Sequence, residues 1–241
     1  MRSELQKIRA MPTPRWCAIA VFATMLLGLA ATWRWGLGPS RDAYDFSIGL
    51  PATIAAVVFG VWMFGVEYGQ GTMRRVLTAD PRRSRLFLSK LAVGVPLVAL
   101  ATVLIYLIAL PLYGLAADGH GQSIELATYQ DALLAALVAN VAYLLVGAAF
   151  ALITASMAGG VTFALVFLFI LSVFLAFVPE VDQYSFNLAL ADIDRAIRGD
   201  AGGFGTAEAE NPVGTAAAIA AGWLLLLLGA GWLRLKRSDV K

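Results

Sequence analysis

Long apolar runs alternate with short polar segments along most of this chain. A helix crosses a bilayer with roughly 20 residues, and six runs reach about that length, at 16–36, 46–66, 91–115, 131–155, 160–178 and 213–233. None of them has the period-two alternation of a membrane β-strand, so we expect helices, which satisfy their backbone groups within the segment. The pattern predicts an all-α integral membrane protein with six transmembrane helices in a single domain over residues 1–241.

The segment before the first span has the pattern of an amphipathic helix. In residues 2–10, Leu5 and Ile8 fall on one helical face. Lys7 and Arg9 fall elsewhere, so the segment is expected to lie in the membrane interface and to contact anionic lipid. The alternative is a frayed basic tail that only fixes the topology.

A second amphipathic helix is predicted between spans five and six. Its apolar stripe has helical spacing and consists of Phe186, Leu190, Ile193 and Ile197. On this helix Asp192, Asp194 and Arg195 are predicted to face away from the stripe. We expect a short external helix that either lies on the outer membrane surface or caps the bundle.

Charge predicts the orientation of the spans. The chain is 60% hydrophobic and 14% charged, whereas a soluble domain carries about 25% charged residues. Fourteen of the 18 Lys+Arg residues precede the first span, follow the last one or lie in the 67–90 segment, together with four of the 16 acidic residues. The positive-inside rule therefore places both termini and that segment in the cytoplasm. The net charge of +2 reflects this topology and indicates no nucleic-acid partner.

The predicted spans contain almost no ionisable side chains. Arg34 and Glu67 fall at span ends, and Asn140 is the one amide at depth. Proton relays and ion pathways need intramembrane charges, and an integral-membrane enzyme needs catalytic groups there, so both classes are disfavoured. The lone His120, in a Gly-rich loop, is more typical of a solvated side chain than of a metal ligand. Energy for any transport must therefore enter from outside the membrane.

Residues 67–90, which we call the connector, are the most informative segment. They hold six Lys/Arg residues between spans two and three. A helix of about 18 Å is predicted over 67–78, before the break at Asp80-Pro81. The apolar tip of this helix consists of Met73, Val76 and Leu77, and its basic flanks are Arg74 and Arg75. An apolar tip with basic flanks is suited to docking in a groove of a cytoplasmic protein.

The connector carries a spaced motif, Glu-x-x-x-Gly-Thr-x-Arg followed by Pro-x-x-x-Arg and a Lys. The matching residues are Glu67, Gly71, Thr72, Arg74, Pro81, Arg85 and Lys90. With six spans and a basic ending at 232–240, this resembles the ABC-2-type permeases, the membrane subunits of one class of ABC transporters. In that family the Pro is usually followed by small or apolar residues, whereas this chain has Arg82 and Arg83.

The resemblance implies partners and a division of labour. Two ATPase subunits would carry ATP and Mg, and this chain would pair with a second copy or a homologous permease in a bacterial cytoplasmic membrane. The sequence agrees that ATP hydrolysis lies elsewhere, because a phosphate-binding P-loop needs Gly-Lys and no Gly-Lys occurs here. The chain is therefore expected to be neither an enzyme nor a binder of its own cofactor.

The resulting hypothesis is an exporter of an amphipathic or lipidic cargo such as an antibiotic, drug, peptide or lipid. The alternative is a membrane anchor or sensing subunit that recruits a cytoplasmic partner and moves no substrate. Replacement of Glu67 or Arg74 is predicted to uncouple transport from ATP hydrolysis and to leave assembly largely intact.

Simpler structural roles stay open for individual residues. Glu67 either pairs with a nearby Arg or pins the connector geometry, and Gly71 is expected to allow close helix approach. Basic connector residues could also bind lipid headgroups. Rows of small residues are Gly147, Ala151 and Ala155 on span four and Gly214, Ala218 and Gly222 on span six. Such rows either pack within the bundle or form a subunit interface.

Overall fold

The described part of the chain is entirely helical. The computed structural model describes residues 12–35, 45–73, 75, 78, 82–118, 126–175, 181–199 and 211–237, and no strand occurs among them. The predicted interfacial helix, with Leu5, Lys7, Ile8 and Arg9, lies outside these residues, as does the His120 loop. The predicted all-α class is confirmed for the described ranges.

The helices follow one another with short turns. α1 is Pro12–Trp35. α2 begins with a π-helical segment at Asp45–Gly49 and continues as an α-helix at Leu50–Gly69. α3 is Arg83–Asp118 and α4 is Leu126–Thr154. α5 consists of an α-helix at Met157–Leu165, a π-helical segment at Val166–Leu171 and an α-helical turn at Ser172–Leu175. After a 3-10 turn at Asp182–Tyr184, α6 is Phe186–Arg198 and α7 is Val213–Arg237.

Four of these helices are long and apolar enough to cross a membrane. They are Ser47–Gly69, Arg83–Ala109, Gln130–Thr154 and Val213–Arg237. The predicted first and fifth spans correspond to shorter apolar helices, Arg15–Ala31 and Met157–Leu171. The third span differs most from its prediction, because its helix begins at Arg83 rather than near residue 91.

The centre of the bundle is the contact between α2 and α4. A Cβ added at Gly60 would overlap the carbonyl oxygen of Leu144, and one added at Gly147 would overlap the carbonyl oxygen of Val57. The two backbones therefore touch, as small residues permit in membrane helices. Around this contact Val61, Phe64 and other side chains are fully buried.

A tight hairpin joins α4 to α5, as the sequence predicted. Ala155 has a φ of 50°, and the Ser156 side chain accepts a hydrogen bond from the Gly159 amide at 3.2 Å, which caps α5. Thr154 closes the turn, since its hydroxyl donates to the Ser156 carbonyl at 3.1 Å. The hairpin fixes α5 beside α2 and α4.

The two rows of small residues behave differently. On α4, Gly147 and Ala151 are buried against neighbouring helices. On α7, Gly214 and Gly222 are exposed, and a Cβ at either would meet no described atom within 4 Å. The buried face of α7 includes Gly231 instead, which contacts Leu152 of α4.

The bundle has two unlike ends. We call the end where α2 stops and α3 starts the connector end, and the opposite end the α6 end. α6 packs against α4 and α7, and Phe186 lies between the rings of Tyr143 and Phe167, with centroids 5.8 and 5.7 Å away. Of the two predicted positions for this helix, the packing favours a cap on the bundle.

Candidate functional site

The last turn of α2 ends in a glycine cap built from motif residues. The Gly71 amide donates to the Tyr68 carbonyl at 3.2 Å, and the Thr72 amide donates to the Glu67 carbonyl at 3.0 Å. Gly71 has a φ of 63°, in the left-handed region that glycine reaches without steric cost. Gly71 and Thr72 therefore stop the helix and turn the chain.

This cap corrects two expectations for the connector. A continuous helix over 67–78 is wrong, because α2 ends at Gly69 and a turn follows. The hypothesis of close helix approach at Gly71 is also wrong, since a Cβ there would meet no described atom within 4 Å. The glycine is needed for its backbone conformation.

Beyond the turn, the described connector residues separate into an inward and an outward set. Met73 is helical and buried in the core of this chain, so it is not part of an exposed docking tip. Arg75 and Thr78 are helical and exposed, and Arg82 and Arg85 are exposed as well. Arg74, Val76, Leu77 and Pro81 lie outside the described residues. The surface that remains is basic.

Glu67 and Lys90 form an ion pair inside the protein. Their side-chain atoms are 3.1 Å apart and only 2% and 1% exposed. The Lys90 ammonium also donates to the carbonyl oxygen of Met63 and lies 5.5 Å from the centroid of the Phe64 ring. Low local dielectric strengthens such a pair, and the removal of one partner leaves the other as a buried charge.

The ion pair answers the question of what Glu67 contacts. The sequence offered a nearby arginine, but the partner is the lysine that closes the motif, 23 positions later. Lys90 lies in the second turn of α3, whose start the sequence placed just after it. The first and last residues of the motif therefore join the end of α2 to the start of α3.

Arg83 links the connector to α7. Its guanidinium Nη1 donates to the carbonyl oxygens of Leu235 and Lys236, both at 2.7 Å. These carbonyls end a helix, where a cation is stabilising, whereas the same cation at the start of α3 is unfavourable for the dipole of α3. The sequence gave no sign of this contact except that Arg83 departs from the family pattern.

The predicted stripe on α6 occupies the positions expected of it in part. Phe186 and Leu190 are buried, Ile193 packs against the same core, and Ile197 is half-buried. Ser185 caps the helix, because its hydroxyl accepts from the Leu188 amide at 3.2 Å.

The prediction that Asp192 faces away is wrong, because its side chain is buried. It accepts hydrogen bonds from the Asn211 amide at 3.1 Å, from the Asn211 side chain at 3.2 Å and from Arg195 at 2.8 Å. Asn211 also donates to the carbonyl of Gln183 at 3.0 Å. This cluster ties α6 to the start of α7.

Asn140 has two hydrogen-bond partners that the sequence did not identify. Its amide nitrogen donates to the hydroxyl oxygen of Thr102 on α3 at 3.1 Å. Its amide oxygen accepts from the hydroxyl of Thr53 on α2 at 3.4 Å. Among the described residues, no three His, Cys, Asp or Glu side chains lie together as metal ligands would.

Comparison of the chain with protein-family models, with curated proteins and with solved structures gave no match. What the fold defines is an all-helical protein with four helices able to cross a membrane. Any narrower class rests on the connector motif and on the contacts of its residues.

Proposed function

We propose that this chain is the permease subunit of an ATP-driven exporter of the ABC-2 type, coupled through the connector to separate ATPase subunits. The observation that carries the proposal is the buried Glu67–Lys90 pair. It joins the two ends of the motif, and the Gly71–Thr72 cap forms on the Glu67 carbonyl next to it. A connector held this rigidly is suited to transmitting force.

The docking surface in this proposal is basic rather than apolar. Arg75, Arg82 and Arg85 are exposed on the connector, and an acidic groove on the ATPase would complement them. Met73 supports the connector from inside the protein. This assigns the contact with the partner to charge, with the apolar side chain as a foundation.

The proposed route of motion has two branches. Closure of the ATPases on ATP moves the connector, and the Glu67–Lys90 pair makes the ends of α2 and α3 move together. The bonds from Arg83 to the last carbonyls of α7 carry the same motion to that helix. ATP and Mg reside on the partners, and two permease chains, identical or homologous, complete the exporter in a bacterial cytoplasmic membrane.

The test of this proposal is binding and coupling with the ATPase encoded by the neighbouring reading frame. The triple variant Arg75→Glu/Arg82→Glu/Arg85→Glu is expected to lose copurification with the ATPase. A matched control is Arg237→Glu, an exposed arginine at the same end of the bundle, which should copurify as the unmodified chain does. Equal binding by the triple variant would remove the connector as the docking site.

A second measurement separates the exporter from the non-transporting anchor. In proteoliposomes that contain both chains, an amphipathic cargo should change the rate of ATP hydrolysis and should accumulate on the side opposite the ATPase. A chain that binds the ATPase while no cargo in an amphiphile panel changes ATP turnover would support the anchor.

A further inference from the structure

Two cavities of similar size lie inside the bundle. The first, of about 410 Å³, lies at the α6 end between α2, α3, α4 and α6. The second, of about 440 Å³, lies between α1, α2 and α3. Both volumes fall in the range of small-molecule sites, about 300–1,000 Å³. We call them the outer cavity and the inner cavity.

Asn140 lines both cavities. Its partner Thr53 lines the outer cavity only, and its partner Thr102 lines the inner cavity only. The three side chains therefore form one hydrogen-bonded partition, with a hydroxyl on each side of a shared amide. Such groups can exchange their mutual hydrogen bonds for bonds to a ligand.

Charge is confined to regions away from the partition. In the inner cavity the one charged lining residue is Arg15, in the first turn of α1. In the outer cavity Arg195 is bonded to Asp192, and Arg198 lies 2.9 Å from Asp194. A charged group at the partition would meet only neutral dipoles, which makes its desolvation unfavourable.

The walls on both sides of the partition are mostly small and apolar. Ala135, Ala136 and Ala139 line the outer cavity, and Ala52, Ala55 and Ala101 line the inner one. An apolar chain can lie against these surfaces while a hydroxyl or amide group bonds to Asn140. The arrangement suits an amphiphile with an uncharged polar group.

We propose that the two cavities form one ligand path through a single copy of the chain, with Asn140, Thr53 and Thr102 as its polar constriction. The ligand class is an uncharged amphiphile that carries hydroxyl or amide groups. As a route for cargo, the path rests on the proposed export function. As a binding site, it is tested on the isolated chain.

The lone cysteine of the chain provides the reporter. Cys17 is half-buried and lines the inner cavity, so its reaction with N-ethylmaleimide reports occupancy there. A Cys17→Ser/Ala136→Cys variant places the reporter in the outer cavity. Both proteins are studied in phosphatidylcholine nanodiscs without any ATPase. The probes are monolauroylglycerol, which is uncharged, laurate and dodecyltrimethylammonium.

Monolauroylglycerol is expected to slow labelling of both cysteines with the same half-effect concentration, and the two charged probes are expected to act only at about tenfold higher concentration. Different half-effect concentrations at the two cysteines would overturn a single path. Equal protection by all three probes would overturn the preference for uncharged ligands, and no protection at either cysteine would overturn the site.

The constriction itself is tested by Thr53→Val/Thr102→Val, which keeps the shape and removes both hydroxyls. Loss of these partners should raise the half-effect concentration about fivefold. Thr24→Val is the matched control, because the Thr24 hydroxyl bonds only to carbonyls of its own helix. An unchanged concentration in the double variant would show that the partition serves packing alone. Because no ATPase takes part, failure here leaves the connector proposal standing.

Discussion

The two ends of the bundle bury charge in different ways. At the connector end, Glu67 and Lys90 come from two helices and depend on each other. At the α6 end, Asp192 is bonded to Arg195 of its own helix and to Asn211 in the segment before α7. Arg195 retains 14% exposure, whereas Lys90 has 1%.

The difference predicts unequal tolerance to change. Asp192 has neutral donors that remain if its charge is removed, and Arg195 reaches solvent. Loss of either connector partner instead strands a full charge in the core. We therefore expect the connector end to behave as one unit and the α6 end as a set of separable contacts.

The largest effect is expected for Lys90→Met. The substitution leaves Glu67 buried without its cation, and the free energy of unfolding should fall by about 3–5 kcal/mol. The measurement is chemical unfolding in detergent. The double variant Glu67→Gln/Lys90→Met should recover most of the loss, since no charge is then stranded. A double variant as unstable as the single one would contradict the account.

This expectation modifies the prediction made from sequence for Glu67. An exposed residue could be replaced with assembly intact, but burial of the pair adds a loss of stability to any loss of coupling. Transport assays on Glu67 variants therefore need folded protein quantified in parallel.

A smaller effect is expected for Asp192→Asn at the α6 end. The amide keeps the shape but weakens three hydrogen bonds, and the unfolding free energy should fall by about 1–3 kcal/mol. Asp194→Asn is the matched control on the same helix, because its pair with Arg198 is partly exposed and is worth about 0.2–1 kcal/mol. Equal losses in both variants would argue against a special role for the buried cluster.

Gly71→Ala tests the turn that precedes the connector. A left-handed conformation costs a non-glycine residue about 1–2 kcal/mol, so the variant should unfold that much more easily. Gly69→Ala is the control, because Gly69 is helical with no described atom near its Cβ position. That change should stabilise the protein by about 0.5–1 kcal/mol. The same sign in both variants would refute the assignment of the cap.

The smallest effect is expected for Arg83→Gln. Loss of the bonds to Leu235 and Lys236 should lower stability by only about 1 kcal/mol but should speed amide hydrogen exchange in the last turn of α7. Arg75→Gln, at an exposed connector position, should leave that exchange unchanged. Unaltered exchange in the Arg83 variant would mean that the contact does not hold the helix end.

Local pattern predicted much of this fold. The apolar stripe and the glycine at 199 placed α6 closely, since its observed bounds are Phe186–Arg198. The minimal link at 154–157 predicted the hairpin between α4 and α5. These features depend on neighbours within a few positions, which a sequence displays directly.

Contacts between distant residues were beyond such reasoning. Charge counting named Glu67 and Lys90 but could not choose between the lysine and six arginines nearby as the partner. Asp192 was assigned to solvent because its partner Asn211 comes 19 positions later. Identical small-residue rows on α4 and α7 also had no local feature to distinguish the buried one from the exposed one.

The backbone contact between α2 and α4 makes this pair a fixed frame for measurement. No side chain fits at Gly60 or Gly147 without forcing the helices apart, so their separation should stay constant through any working cycle. Spin labels on these two helices would give an internal standard. Distances from that standard to α1, α6 and α7 would then report which helices travel.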